Sequence, residues 1–502
     1  LAPGETVPFF VAGNLINGQG GAANCGIPPE ATGVFANVVA ARPQGSEISN
    51  YLTVYPYGES RPLVSTVNYL ADITAVGNGV LMPLCDPAAA TCDYDLNVYN
   101  STNLAVDLVI DVTGYLAASA PITQTADWAL YGYDEQSTRY NVNETSLNTI
   151  NVADLTLRWK TAYDRSVGFS TPALVGNTVY GGTWDTASLP AMVYAIDAQT
   201  GDYLWTRDID QGTESSVSVV NGKVYIGTAT GQVLALNAAN GSTIWTADTG
   251  GGGQVWSSPK ESAGKVYVGS ADGYAYAFDA NTGSLVWRTA TSAGGAIRST
   301  AAVSGGMVYF ASRGSDQSVY AFDADTGDLV WSTQTWWMLR SSPAVANGVV
   351  YIGADNGRVY ALDAVTGALR WQSSPAGDAV WSAPAIANGR VFVGSLDHFL
   401  YALDASTGAL IWRVETDNRI HASPSVANGV VYVATDEGET AQPSARYNFH
   451  AYGFATGDGA LLWQTAECQG PLGVGTDSNV VVGNGTVLVQ NEQGYVCAFS
   501  TP

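Results

Sequence analysis

A tryptophan that returns every 40 to 51 residues constrains this chain more than any other feature. The copies read YAIDAQTGDYLW (Tyr194 to Trp205), LALNAANGSTIW (Leu234 to Trp245), YAFDANTGSLVW (Tyr276 to Trp287) and YAFDADTGDLVW (Tyr320 to Trp331). They continue as YALDAVTGALRW (Tyr360 to Trp371), YALDASTGALIW (Tyr401 to Trp412) and the degenerate YGFATGDGALLW (Tyr452 to Trp463), with an earlier DLTLRW ending at Trp159. Self-similarity at this period marks one supersecondary unit that buries its apolar faces only against its neighbours. Each unit also holds two alternating apolar segments around an Asn-Gly turn, as in SSPAVANGVVYIG (Ser341 to Gly353). Asn-Gly supplies the positive φ of a tight hairpin. The Asp of D-A-x-T-G can accept hydrogen bonds from its own turn while the Gly takes the left-handed conformation, so the strongest motif has a structural job. Four strands per unit and eight units predict an all-β chain built on an eight-bladed β-propeller. The last half-unit, YVCAFS (Tyr495 to Ser500), has no Trp, so Asp154 to Trp159 is expected to complete that blade and close the ring from both ends.

Residues 1 to 118 lack the repeat but carry alternating segments such as GVFANVVAARP, NYLTVYPYG and AVDLVIDVTGYL between Pro and Gly turns. They read as an antiparallel β-sandwich, followed by a linker at residues 119 to 125 and the propeller from 126 to 502. Lys+Arg 20 against Asp+Glu 44 leaves a formal charge of −24, which repels phosphate backbones and anionic lipid. Nucleic acid and membrane-surface partners are therefore disfavoured. The longest apolar stretch, Leu104 to Val112, is broken by Asp107 and Asp111, so no spanning helix is expected. The chain opens on Leu1 with neither a basic nor an apolar leader, as an already removed secretory signal leaves it, and an extracellular or cell-surface location is the expectation. None of the five cysteines stands in C-x-x-C. Cys85 with Cys92 and Cys468 with Cys497 are the expected local disulfides, with Cys25 unpaired or intermolecular.

The D-A-x-T-G-x-x-x-W repeats, with DWALYGYDEQSTRYNVNETSLNTINVADLTLRW (Asp127 to Trp159), resemble the quinoprotein dehydrogenase family and among its members are similar to polyvinyl-alcohol dehydrogenases. Repeats of this type also occur in non-catalytic propellers, such as the outer-membrane β-barrel assembly lipoprotein. The first domain is similar to sandwich modules of bacterial secreted and surface proteins. The dehydrogenase resemblance implies pyrroloquinoline quinone stacked on a Trp in the central funnel. It also implies a calcium ion held by Glu, Asn and Asp oxygens, an Asp acting as base, and a Lys or Arg on the quinone oxygens. Carried over by motif, the stacking residue is Trp256 in GGGGQVWSSP, the calcium ligands are Asp272 in YVGSADG and Asp185 in GGTWDTASLPAM, and the quinone-contacting cation is Arg313 in YFASRGSD. At the place of the family's catalytic Asp this sequence offers Ala296 and Arg298 in AGGAIRSTAAV, and hydride removal from an alcohol needs a base. No catalytic residue is assigned.

Aligned at S-S/T-P, the units bring one residue each to a comparable place: Phe169, Glu214, Trp256, Arg298, Arg340, Trp381 and His421. That position is expected to approach the central channel, where aromatic faces with Arg suit a planar anion or a sugar. The bland alternative is that the arginines only neutralise Glu214 or backbone carbonyls. The reading that follows is a secreted or cell-surface propeller used for binding, scaffolding or assembly without catalysis. Its partners would be other subunits or surface polymers, self-association included. The alternative is an alcohol dehydrogenase dependent on pyrroloquinoline quinone and calcium.

Overall fold

Each tryptophan-terminated unit forms four antiparallel strands of one sheet, eight sheets follow one another along the chain, and the seventh gains a fifth, parallel strand, Tyr140–Asn141, beside Ser425–Ala427. The computed structural model describes residues 126–163, 170–184, 190–209, 212–291, 295–314, 316–435, 450–468, 479–491 and 494–502, and ahead of them the course of seven strands. Two compact units divide the chain, Leu1–Thr123 and Gln124–Pro502. In the first, Thr6–Phe9, Leu96–Asn100, Asn50–Pro56 and Val67–Tyr69 pair in that order, and Ala75–Pro83, Ala31–Ala41 and Asp107–Ala117 form a second sheet. The packing of these sheets as a sandwich, Cys25, Cys85, Cys92 and the linker at 119–125 lie outside the described residues. No helix among the described residues is long and apolar enough to cross a membrane.

In the second unit the first blade runs outward through Ala173–Val175, Thr178–Gly182, Ala191–Asp197 and Tyr203–Ile209. The eighth blade takes Val481–Gly483, Thr486–Asn491 and Tyr495–Ser500 from the end of the chain and its outermost strand, Thr156–Ala162, from the start of the unit. The ring is thus closed as the missing tryptophan foretold. Cys468 and Cys497 form the expected disulfide, Cα to Cα 5.8 Å, inside that closing blade.

The repeated tryptophan is the bolt between blades. Its indole N–H donates to a carbonyl of the following blade at every step. Trp159 reaches Ala198 at 2.8 Å, Trp205 reaches Ala238 at 2.8 Å and Trp245 reaches Ala280 at 3.1 Å. The series runs through Trp287, Trp331, Trp371 and Trp412 to Trp463, whose acceptor is Leu155 at 3.3 Å. The glycine of the next T-G turn lies under the ring: a Cβ on Gly367 would stand 2.6 Å from Trp331 Cε3, and its φ is +72°. The turn aspartates behave as their spacing predicts, Asp323 Oδ1 accepting the amides of Asp325 at 2.9 Å and Thr326 at 2.8 Å.

The serine and threonine of S-S/T-P serve the inner ring, where the first strands of neighbouring blades meet. The Thr171 amide donates to Ser216 Oγ (2.8 Å), Ser216 to Ser258 (3.0 Å), Ser258 to Thr300 (3.1 Å) and Thr300 to Ser342 (3.0 Å). Beyond a gap at Ala383, which has no hydroxyl, the series resumes with Ala383 to Ser423 (2.9 Å), Ser423 to Asn479 Oδ1 (2.6 Å) and Asn479 to Thr171 (3.2 Å).

One end of the central channel is closed by the segment from Trp128 to Asn141, which circles the axis and meets the blades in chain order. Trp128 exchanges backbone bonds with Leu174 of the first blade. Val219, Val303, Val345, Ile386 and Val426 each donate an amide, at 2.8 Å, to the carbonyls of Ala129, Glu135, Gln136, Thr138 and Arg139. In the third blade the donor is a side chain, Lys260 Nζ, to Tyr131 O at 2.5 Å and Asp134 O at 2.8 Å. The eighth blade is met by Asn141, whose Nδ2 bonds both Val482 O (2.8 Å) and Ala126 O (2.9 Å). Each donor amide lies five residues beyond the blade's residue at the other end of the channel (Glu214 to Val219, Arg340 to Val345), so the mouth and the plug sit at opposite ends of the innermost strands.

Candidate functional site

The loops entering the innermost strands place Trp256, Arg298, Arg340, Trp381 and His421 around the end of the channel opposite the plug. Arg298 lies flat on Trp256, its Cζ 3.3 Å from the ring centroid, and Arg340 lies on Trp381 at 4.1 Å. The other neighbour of Trp381 is His421, with ring centroids 4.8 Å apart at 35°. Guanidinium over indole is favourable through the ring quadrupole and strengthens as water is excluded.

Asp355 fixes this arc. Its Oδ1 accepts Trp381 Nε1 at 2.8 Å, and its Oδ2 stands 3.7 Å from Arg340 Nε. Arg313, whose amide bonds Ala296 O at 2.9 Å, joins from the same position of the preceding blade that Asp355 holds in its own. Burial, and next the Arg313 charge, lowers the pKa of Arg298, while Glu214 opposes the shift. Burial and then Arg340 do the same to Arg313, opposed by Asp355 and Glu214. Both stay cationic, since a guanidinium begins far above neutral pH. Among the described residues three arginines therefore crowd against two carboxylates, Glu214 and Asp355, and that balance suits an anion.

Alignment of the units brought together Phe169, Glu214, Trp256, Arg298, Arg340, Trp381 and His421, and the dehydrogenase resemblance added Arg313; Trp256 touches Arg298, Trp381 touches Arg340 and His421, and Glu214 and Arg313 lie close enough to act on Arg298. Sequence reasoning missed Asp355, although G-A-D-N aligns its Asp with Arg313 of A-S-R-G. It also missed Trp336, Trp337 and Met338, which are 72%, 49% and 39% exposed in the loop just before Arg340. Trp336 holds φ at +65°, uncommon and costly for a bulky side chain, and Met338 O accepts the amide of Asp355 at 3.1 Å. An aromatic finger is thereby tied to the carboxylate that organises the arginines.

Among the described residues, Trp256 and Asp272, carried over from the dehydrogenase resemblance, are engaged in contacts of their own. One face of Trp256 is covered by Arg298. Asp272 Oδ1 accepts the Tyr274 amide (3.0 Å) and Oδ2 the Tyr276 hydroxyl (2.6 Å). The same Asp-to-Tyr contact recurs as Asp316 with Tyr320 and Asp397 with Tyr401, both at 2.5 Å, so Asp272 serves a turn of the repeat. Asp185 and Phe169 lie outside the described residues. Among the described residues no three His, Cys, Asp or Glu side chains gather as metal ligands.

Comparison with known proteins accords with the fold. A quinohemoprotein alcohol dehydrogenase of Comamonas testosteroni is 35% identical over 143 residues, 26% of this chain and 19% of that protein. The dehydrogenase subunit of a quinone-type alcohol dehydrogenase of Gluconobacter oxydans (strain 621H) is 34% identical over 149 residues, 27% of this chain and 18% of that protein. The matches thus span only a small part of these relatives' length. Among solved structures, a europium-containing methanol dehydrogenase superposes with a TM-score of 0.61 at 16% identity, covering 76% of this chain and 99% of that one. BamB of Moraxella catarrhalis does so with a TM-score of 0.55 at 19% identity, covering 69% and 97%. At these identities the shared property is the fold. The family profile described as outer membrane protein assembly factor BamB matches residues 143–263, 229–379, 315–398 and 355–501. Matched over more than half its length by that profile, and folded into eight four-stranded blades bolted by the repeated tryptophan, the chain belongs to the PQQ-type β-propeller repeat family.

Proposed function

We propose that this chain is a binding propeller without catalysis whose channel mouth holds a ring-shaped carboxylate, such as a uronic acid or an aromatic acid. The observation that carries the reading is the packing of Arg298 on Trp256 at 3.3 Å, with Arg313 and Arg340 crowding behind it. Guanidinium groups held flat by indoles are oriented donors for a carboxylate. The exposed indoles of Trp336 and Trp337 offer the flat apolar surface that a sugar or aryl ring stacks on. A net charge of −24 disfavours a long polyanion lying across the surface, so the ligand is one ring or the end of a chain. The test is tryptophan fluorescence titrated with glucuronate and with benzoate. Saturable quenching that weakens about 10- to 100-fold in Arg313→Ala is expected, the range set by one charged hydrogen bond. A flat titration with both acids removes the reading.

A second reading, oxidation of an alcohol with pyrroloquinoline quinone and calcium, is favoured by the 35% identity to a quinohemoprotein alcohol dehydrogenase and by Trp256 at the stacking position. It requires the quinone to take the Trp256 face opposite Arg298, or to displace Arg298. Quenching by the quinone with calcium, together with alcohol-dependent dye reduction, would replace the first reading by this one.

Secretion or display at the cell surface belongs to the proposal, because the Cys468–Cys497 disulfide persists in oxidising compartments. Self-association does too: the outermost strands expose apolar pairs, Leu285–Val286, Leu329–Val330 and Leu410–Ile411 among them. Light scattering that gives one monomeric species at high concentration would exclude it.

A further inference from the structure

At the closed end of the channel lies a guanidinium that the fold does not satisfy. Arg139 is 1% exposed, and Nε, Nη1 and Nη2 all lack a hydrogen-bond partner among the described residues. Its Cζ stands 4.4 Å from the centroid of the Tyr131 ring. That contact crosses the axis: Tyr131 O is bound by Lys260 of the third blade, and Arg139 O by Val426 of the seventh. The Arg139 amide also crosses, donating to Gly132 O at 2.9 Å. The guanidinium is therefore on the axis of the propeller, inside the loop that plugs it.

Arginine does not escape burial by losing its proton, and an isolated buried cation is costly by several kcal/mol. The nearby charges do not cancel it. The Tyr131 hydroxyl is the group that most favours the charged guanidinium but brings no full charge of its own, and Asp134, the one carboxylate acting on Arg139, already accepts the Thr138 amide at 2.8 Å through Oδ1. Lys260, close enough to feel Arg139, brings no countercharge, its Nζ being shared between two carbonyls. Arg139 moreover holds a φ of +55°, and Tyr133 and Ser137 in the same loop hold +77° and +58°. Strained non-glycine backbone persists only where its surroundings over-determine it.

We infer that a small inorganic anion of about the size of chloride is bound on the propeller axis by the Arg139 guanidinium, as an integral part of the plug. The sealed position excludes the ring carboxylates proposed for the mouth, and the two sites are independent. The anion accepts the guanidinium donors and restores charge balance beside Lys260.

The test uses the full chain. Thermal unfolding is followed at constant ionic strength while chloride replaces gluconate, an anion too large for the site. The expected result is a Tm that climbs about 2 °C for each tenfold rise in chloride above its dissociation constant. Arg139→Met should lose this dependence. Crystals grown in bromide should show an anomalous peak within hydrogen-bonding distance of Arg139, which reads the site without any variant. A Tm indifferent to chloride, or a bromide crystal with only water at the guanidinium, overturns the inference.

Discussion

Lys260 is the residue whose chemistry departs furthest from its ordinary state. It is fully buried, and burial, the largest cause, pushes its pKa down to about 7, with Asp134 opposing and Arg139 adding to the shift. An unfolded chain keeps a lysine protonated to about pH 10.4. Between those values the unfolded state binds the extra proton, so this residue makes stability rise with pH, by up to about 1.4 kcal/mol per unit. Denaturant unfolding from pH 7.5 to 9.5 should show that slope in the native chain, and Lys260→Met should remove it. A second residue-scale test concerns glycine. Gly348 and Gly367 have nearly the same φ, +73° and +72°, but a Cβ on Gly348 meets nothing within 4 Å while one on Gly367 strikes Trp331. Gly348→Ala should cost about 1–2 kcal/mol, the left-handed penalty alone. Gly367→Ala should cost about 1–3 kcal/mol more, for overpacking. Equal losses by urea titration would mean that the indole gives way freely.

At the scale of the element, the blade was legible because its features are local. D-A-x-T-G caps its own turn, Asn-Gly makes its own hairpin, and the tryptophan needs only the next copy of the same unit. The inner ring was half legible: S-S/T-P served to align the units, and the structure adds that its hydroxyls join neighbouring blades. Ala383 breaks that series, leaving the Ser342 amide without the hydroxyl acceptor its counterparts have. Ala383→Ser should stabilise the propeller by about 0.5–1.5 kcal/mol, the net worth of one hydrogen bond, read from the urea midpoint. The plug was not legible, because it is built from backbone carbonyls, which carry no side-chain signature. The same holds for Asp272. Its sequence position suits a metal ligand, and only the three-dimensional contact with Tyr276 shows its carboxylate already engaged. In the mouth, Trp256, Arg298, Arg340 and Trp381 were legible through alignment of the units, and Arg313 through the dehydrogenase resemblance. Asp355 was not, since it belongs to a different loop of its blade and meets them only when two blades stand side by side.

For the whole molecule, closure is the critical event. Thr156–Ala162 pairs with Tyr495–Ser500, so the two ends of the propeller unit share one sheet, and the disulfide sits in that sheet's blade. Replacing Cys468 and Cys497 by serine should cost about 3.6 kcal/mol, as a bridge closing a loop of 29 residues does in the chain-entropy account. The check is differential scanning calorimetry of the oxidised native chain against the double variant. Loss there should lower the midpoint of the whole unit, since no blade buries its faces alone.

The plug has a consequence for how the molecule is made. Residues 128–141 leave the ribosome before any of the eight blades, yet they form hydrogen bonds with every one of them, and the strand at 156–162 finds its neighbour only in the final residues synthesised. Throughout translation, or threading across a membrane, this stretch waits with its carbonyls unsatisfied. It takes its place only when the ring around it is complete, so the propeller is finished from its centre last, and any nascent chain stopped short of the eighth blade carries an open hub.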